Sequence, residues 1–187
     1  MPTSITLKLI FLSLLLAFSS LSHAGKEAFK SGTAIKDYGQ IAVVDSQLAI
    51  PKDMVFKVAF DMSKAAKPAE INRSLNTLAR FINMHEDAGV PAKNIHLAMV
   101  VHGNAVGDLA KNEFYRQQHG LEAPIENANK ALIKQLTQYG VKIYICGQSA
   151  AYYNLDNEAL LPGVDMALSA MTAHAILAEQ GFTLNPF

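Results

Sequence analysis

Two apolar runs, each followed by glycine and polar residues, constrain most strongly what this chain can fold into. Residues 94–103 read Asn-Ile-His-Leu-Ala-Met-Val-Val-His-Gly, and residues 141–149 read Val-Lys-Ile-Tyr-Ile-Cys-Gly-Gln-Ser. Each run is short, β-prone and almost continuously apolar, which is typical of a parallel strand that is covered on both faces. An amphipathic helical pattern lies between the two runs. The chain is therefore predicted to be an α/β protein.

The remaining segments supply the partners of these strands. Further strands are predicted at residues 41–44, 54–61, 164–168 and 182–184, and helices at residues 68–89, 127–139 and from Ser169 or Thr172 to Gln180, with a short helix at 108–116 inside a long connection. Strands that alternate with helices predict a three-layer α/β/α sandwich with a mainly parallel, flavodoxin-like sheet. Residues 25–39 are polar and lack a period, so a loosely ordered arm is expected there.

The N-terminus has the three parts of a secretory signal peptide. One basic residue, Lys8, precedes an apolar stretch that ends in the small-residue motif Ser22-His23-Ala24. The apolar stretch is shorter than the ~20 residues of a membrane-spanning helix. The alternative is an N-terminal anchor that is not cleaved. The predicted organisation is a signal peptide at 1–24, an N-terminal extension at 25–50 and one domain at 51–187, in a periplasmic protein.

The charge of the predicted mature chain argues against several partners. The full chain has 16 basic and 16 acidic residues, and loss of Lys8 leaves 15 basic residues and a net charge of −1. That balance indicates no nucleic-acid partner and no association with an anionic membrane after signal cleavage. No Cys/His pairs have zinc-site spacing, so neither a metal nor a cofactor is expected.

Cys146 is the only cysteine in the chain, and it ends an apolar strand. Most exported proteins use cysteines in pairs, so an unpaired thiol in an oxidising compartment indicates either reactivity or packing. His102 ends the other apolar strand. If the two strands are parallel neighbours, His102 and Cys146 share one sheet edge, where an imidazole favours the thiolate. The alternative is that Cys146 packs as a small buried hydrophobe.

The residues that follow the two strands are the predicted binding residues. The backbone N–H groups after Cys146 can point at the sulfur if they begin a helix, since such N–H groups favour an anion. The candidates are Gly103, Asn104, Gly147, Gln148 and Ser149. Asp61 ends an earlier strand and either faces the same edge or forms a turn.

The chain resembles the DsrE/DsrF-like family in the order and spacing of four motifs. They are LAMVVHGNAV at 97–106, GVKIYICGQSAAY at 140–152, LLPGVDMALSAM at 160–171 and LAEQGFTL at 177–184. The resemblance implies a small α/β sandwich that assembles into homotrimers, hexamers or mixed oligomers. Cytoplasmic members relay sulfur as a cysteine persulfide, and only Cys146 matches the sulfur-bearing position. The predicted signal peptide places this chain in an exported branch.

Two functions of different classes follow from the resemblance. In the first, the Cys146 thiolate takes sulfane sulfur from a donor protein or small molecule and passes it on, as a sulfur carrier or sulfurtransferase. In the second, a noncatalytic protein uses the same fold to bind a small ligand or to assemble. The sequence leaves both open.

We predict that the exported protein begins at Gly25, because Ser22 and Ala24 occupy the −3 and −1 positions of a cleavage site. Intact-mass analysis of protein recovered from the periplasm measures the first residue directly. A mass that still includes residues 1–24 would contradict the prediction and favour the uncleaved anchor.

Overall fold

A single parallel sheet forms the centre of the molecule. The computed structural model describes residues 25–185, so the predicted signal peptide at 1–24 lies outside the described residues. A two-stranded antiparallel ribbon, β1 and β2, precedes the five parallel strands β3 to β7. In chain order the seven strands are Phe29–Lys30, Ile41–Ala42, Phe56–Met62, Ile95–Val101, Lys142–Cys146, Val164–Ala167 and Thr183–Asn185.

Five α-helices connect and cover these strands. They are numbered α1 to α5 in chain order and span Arg73–Asp87, Asn112–His119, Lys130–Tyr139, Gly147–Tyr152 and Ala170–Glu179. Short 3-10 helices lie at Lys26–Ala28, Ala92–Asn94 and Gly103–Leu109. No helix within residues 25–185 has the length and apolar character needed to cross a membrane.

The helices divide into two unequal layers. Leu78 of α1 and Leu132 of α3 pack on one face of the sheet in the larger core. On the other face, α5 supplies Ala173 and Leu177 to a smaller core. The strand order is β6-β5-β4-β3-β7, so α5 crosses the sheet between its two edges. The predicted three-layer α/β sandwich with a parallel sheet is confirmed. The sheet resembles that of flavodoxin in its layers and in the direction of its strands, but the order of the strands is different.

Helix α1 begins later than the sequence pattern suggests. Pro68 was predicted to open it, but Ala69 has a left-handed φ of 63° and cannot continue a helical turn. Asn72 is the N-cap, and its side-chain oxygen accepts a hydrogen bond of 2.9 Å from the backbone N–H of Ser74. The helix therefore starts at Arg73, where the capping side chain satisfies one of the free N–H groups.

Buried amides hold the connections that follow β3 and β4. Asn72 donates to a carboxylate oxygen of Asp108 at 2.7 Å, and its backbone N–H donates to Asn129 at 2.7 Å. Asn127 donates to the backbone carbonyl of Asp108 at 2.9 Å. Burial raises the pKa of Asp108, while hydrogen bonds from Ala66 and Asn72 act in the opposite direction. These contacts fix the loops at the carboxyl edge of the sheet.

The segment 25–39 is not the loosely ordered arm that its polar sequence predicts. Ile35 is only 1% exposed and packs in the larger core. The buried Asn83 of α1 accepts from the N–H of Ile35 at 2.8 Å and donates to the carbonyls of Ile35, Tyr38 and Gly39 at 3.0–3.2 Å. The second half of the arm lacks a period because a polar helix side chain, rather than regular secondary structure, satisfies its backbone.

We predict that Asn83→Ala destabilises the protein by about 2–4 kcal/mol, because it leaves one buried backbone N–H and several carbonyls without partners. Urea denaturation measures the change in the free energy of unfolding. The matched control is Asn94→Ala, which removes a hydrogen bond to Met54 at the exposed surface and should cost less than about 0.5 kcal/mol. Equal effects of the two substitutions would show that the arm is not docked as described.

Candidate functional site

A pocket of about 350 Å³ opens at the carboxyl edge of the sheet. Because β3, β4 and β5 are parallel neighbours, Asp61, His102 and Cys146 reach the same edge. The first turns of α4 and α5 form the remaining wall. We call this cavity the Cys146 pocket; it is lined by Asp61, His102, Cys146, Gln148, Ser149, Ser169, Ala170, Met171 and His174.

Hydrogen-bond donors surround the thiol of Cys146, which is 6% exposed. Burial acts to raise the pKa of this thiol. The backbone N–H groups of Ser149, Ala170 and Gln148 and the hydroxyl of Ser149 act against burial, and the net result is a lowered pKa. The donors lower it because they stabilise the thiolate more than the thiol.

Ser149 connects the turns that follow β4 and β5. Its hydroxyl oxygen accepts a hydrogen bond of 3.0 Å from the backbone N–H of Gly103. The hydroxyl proton is then free to face the sulfur of Cys146. Gly103 has a φ of +58°, and an added Cβ would lie 2.9 Å from the carbonyl oxygen of Ser63. The His-Gly turn therefore helps to orient the donor that stabilises the thiolate.

Gly147 allows the strand carrying Cys146 to turn closely against the loop after β6. A Cβ at this position would lie 2.7 Å from the carbonyl oxygen of Ala167. The next residue, Gln148, donates to the carbonyl of Leu168 at 3.2 Å and so fastens the same loop. These contacts bring the N-terminus of α5, and with it the N–H of Ala170, onto the sulfur.

The Asp61 carboxylate joins two histidines on the wall of the Cys146 pocket. One oxygen lies 3.0 Å from Nε2 of His102, and the other lies 2.9 Å from Nε2 of His174. Within residues 25–185, no group of three or more His, Cys, Asp or Glu side chains is arranged to hold a metal ion. The carboxylate and the two imidazole rings form a hydrogen-bonded array.

The sequence predicts part of this site and misses part of it. The structure brings His102, Cys146, Gln148 and Ser149 into the pocket lining, and it places Gly103 and Gly147 directly behind that lining. Asn104 is not in the lining, because its side-chain oxygen accepts from the N–H of Ala65.

His174 is a titratable pocket residue that the sequence pattern does not identify. It lies one helical turn after Ala170, so both residues face the pocket from α5. The sequence feature that indicates His174 is its position four residues after Ala170, in a helix that begins just after a strand. That signal becomes informative only when α5 is known to cross the sheet beside β5.

Comparisons with known proteins agree with this architecture. The model of the DsrE/DsrF-like family matches residues 54–186. A protein of unknown function, MTH1491 from Methanobacterium thermoautotrophicum, is a similar solved structure, with 16% identity, a TM-score of 0.51, and 71% of this chain and 99% of that chain covered. The ychN protein from E. coli gives the same identity and TM-score, with 71% and 100% covered. These structural similarities show that the chain shares its fold with the two proteins. No curated protein sequence matches the chain.

We predict that the alkylation rate of Cys146 rises with pH through an inflection below the free-cysteine value of ~8.5, because the surrounding donors lower the pKa of the thiol. Ser149→Ala should move the inflection to higher pH and slow alkylation at pH 7 by about tenfold, the effect of one hydrogen bond to a charged group.

Iodoacetamide kinetics followed by intact mass provide the measurement. Ser46→Ala, which alters an exposed hydroxyl in the loop before β3, is the matched control and should leave the profile unchanged. Alkylation that occurs only after denaturation would identify Cys146 as a packing residue.

Proposed function

This chain belongs to the DsrE/DsrF-like family, and we propose that it is a periplasmic sulfur carrier or sulfurtransferase that holds sulfane sulfur as a persulfide on Cys146. The family supports a sulfur-relay type of function. The location and the persulfide chemistry are proposals, which rest on the predicted signal peptide and on the surroundings of the thiol.

The observation that carries the proposal is the set of four donors on the sulfur of Cys146. A sulfur carrier needs a thiolate to attack the sulfane sulfur of a donor. It needs the same thiolate as leaving group when an acceptor removes that sulfur. Donors that stabilise the thiolate therefore help both steps. A buried cysteine that served only for packing would need no such donors.

Exposed apolar side chains near the pocket support delivery by another protein. Leu168 is 72% exposed and Met171 80%; the carbonyl of Leu168 binds the pocket residue Gln148, and Met171 lines the Cys146 pocket. Exposed apolar groups that lie together are typical of protein contact surfaces. A donor or acceptor protein that covered them would bring its own sulfur to the pocket mouth.

We predict that the mature chain gains the mass of one or more sulfur atoms after incubation with polysulfide or thiosulfate, and that reduction with a thiol removes this mass. Peptide mass spectrometry should place the gain on Cys146. Cys146→Ser is the control and should gain nothing. A wild-type protein with an accessible thiol that takes up no sulfur would refute the carrier function.

The second candidate is a noncatalytic role in assembly or small-ligand binding. The helix α5 favours an assembly, because it keeps a large apolar side chain outside the smaller core: Ile176 is 52% exposed. A helix that is apolar on most sides is usually covered on most sides. We propose a homo-oligomer, a trimer or hexamer, in which a second copy covers this side of α5; this assembly is compatible with the carrier function.

We predict that the mature chain at micromolar concentration has the mass of a trimer or hexamer in light scattering. Ile176→Glu should shift the mass towards the monomer, since it places a charge in the proposed contact. Met84→Glu is the matched control, because Met84 is 44% exposed on α1 and lies outside that surface. A monomeric wild-type protein would rule out the assembly.

A further inference from the structure

We infer that His174 and Asp61 form, together with His102, a proton-transfer array that serves the displacement reaction at Cys146. The array would supply a proton to the thiolate that departs when Cys146 attacks a sulfur–sulfur bond. Its biological meaning rests on the proposed sulfur-carrier function. The array itself rests on the geometry of the pocket wall.

The hydrogen bonds of Asp61 fix the protonation pattern of both rings. One carboxylate oxygen lies 3.0 Å from Nε2 of His102, and the other lies 2.9 Å from Nε2 of His174. An ionised carboxylate only accepts hydrogen bonds, so both Nε2 atoms carry a hydrogen. Each Nδ1 atom is then the position that gains or loses a proton. Imidazole is the side chain that does this most readily near neutral pH.

The array is separate from the groups that stabilise the thiolate. Ser149, Ala170 and Gln148 are the groups that lower the pKa of the Cys146 thiol against burial, whereas each imidazole is hydrogen-bonded to Asp61. All of these groups nevertheless line one pocket. The imidazoles therefore face the space that a bound donor occupies, while the N–H groups hold the attacking atom.

No other side chain of the pocket can take this role. Besides the thiol, the titratable groups among its described lining residues are Asp61, His102 and His174, and the lining contains neither lysine nor arginine. The Asp61 carboxylate accepts a hydrogen bond from Nε2 of either ring and so orients it, as a carboxylate does for a catalytic histidine. An imidazolium opposite the thiolate is thus the one acid available to a leaving group.

The proposed step balances without an external oxidant or reductant. The Cys146 thiol first gives its proton to an imidazole of the array, which yields a thiolate and an imidazolium. The thiolate attacks the outer sulfur of a persulfide R–S–SH, so that the new sulfur–sulfur bond to Cys146 forms as the old one breaks. The departing RS⁻ takes the proton from the imidazolium. The products are a Cys146 persulfide, RSH and a neutral array.

The test compares two neutral disulfides that react with the same thiolate. Bis(2-hydroxyethyl) disulfide releases a basic alkyl thiolate that needs an acid, whereas 2,2′-dipyridyl disulfide releases a weakly basic thiolate that does not. Stopped-flow rates are measured on the mature chain and on His174→Gln and Asp61→Asn. Glutamine at position 174 keeps a hydrogen-bond donor to Asp61 but cannot transfer a proton as imidazole does.

We expect His174→Gln to slow the alkyl disulfide about 10²-fold, within the range of general acid catalysis, and to leave the aromatic disulfide within about twofold. Asp61→Asn should act in the same direction. His96→Gln, an exposed substitution on β4, is the control and should change neither rate. Equal losses with both disulfides, or no loss with either, would overturn the array. Sulfur uptake from polysulfide is measured separately, so it reports on the carrier function alone.

Discussion

The parallel register of β3, β4 and β5 is the constraint on which the site depends. Met62 pairs with Val101 and Val101 pairs with Ile145, so the three strands end at nearly the same level. The residues next to these ends are Asp61, His102 and Cys146, which come from distant parts of the sequence. A shift of one strand by one residue would turn its pocket-facing side chain to the opposite face of the sheet. The pairing of the strand backbones therefore determines which side chains meet in the pocket.

The state of the thiol follows from a competition between burial and hydrogen bonding. Burial by itself would keep Cys146 protonated, since a charge in an apolar surrounding is costly. Donors from two elements reverse that outcome: Ser149 and Gln148 come from the turn after β5, and Ala170 comes from the start of α5. Gly103 adds a further contribution by binding the Ser149 oxygen and leaving its proton for the sulfur. The thiol can thus be largely buried and still be held as a thiolate.

The sequence predicts well those features that depend on local pattern. The apolar runs around Leu97 and Ile143 identify two central strands, and Gly140 ends α3 in the left-handed conformation expected of a helix-capping glycine. Features that depend on distant side chains are missed: Asn83 binds the backbone at residues 35–39, and His174 reaches the pocket only because α5 crosses the sheet. Neither contact can be predicted from local periodicity. In each case the two partners lie on elements that are distant in the sequence, and the pattern of one element carries no information about the other.

Helix α5 links the chemistry of the pocket to the proposed assembly. Its first N–H group reaches the sulfur, His174 one turn later reaches Asp61, and Ala173 and Leu177 pack on the sheet. Since α5 is the one α-helix of the described chain in the smaller core, no second helix packs beside it in that layer. A second copy packed on Ile176 would add contacts to the same helix without entering the pocket. Subunit contact at that position would therefore hold Ala170 beside the sulfur and His174 at Asp61, so assembly would act on the reactivity of Cys146 through the rigidity of α5.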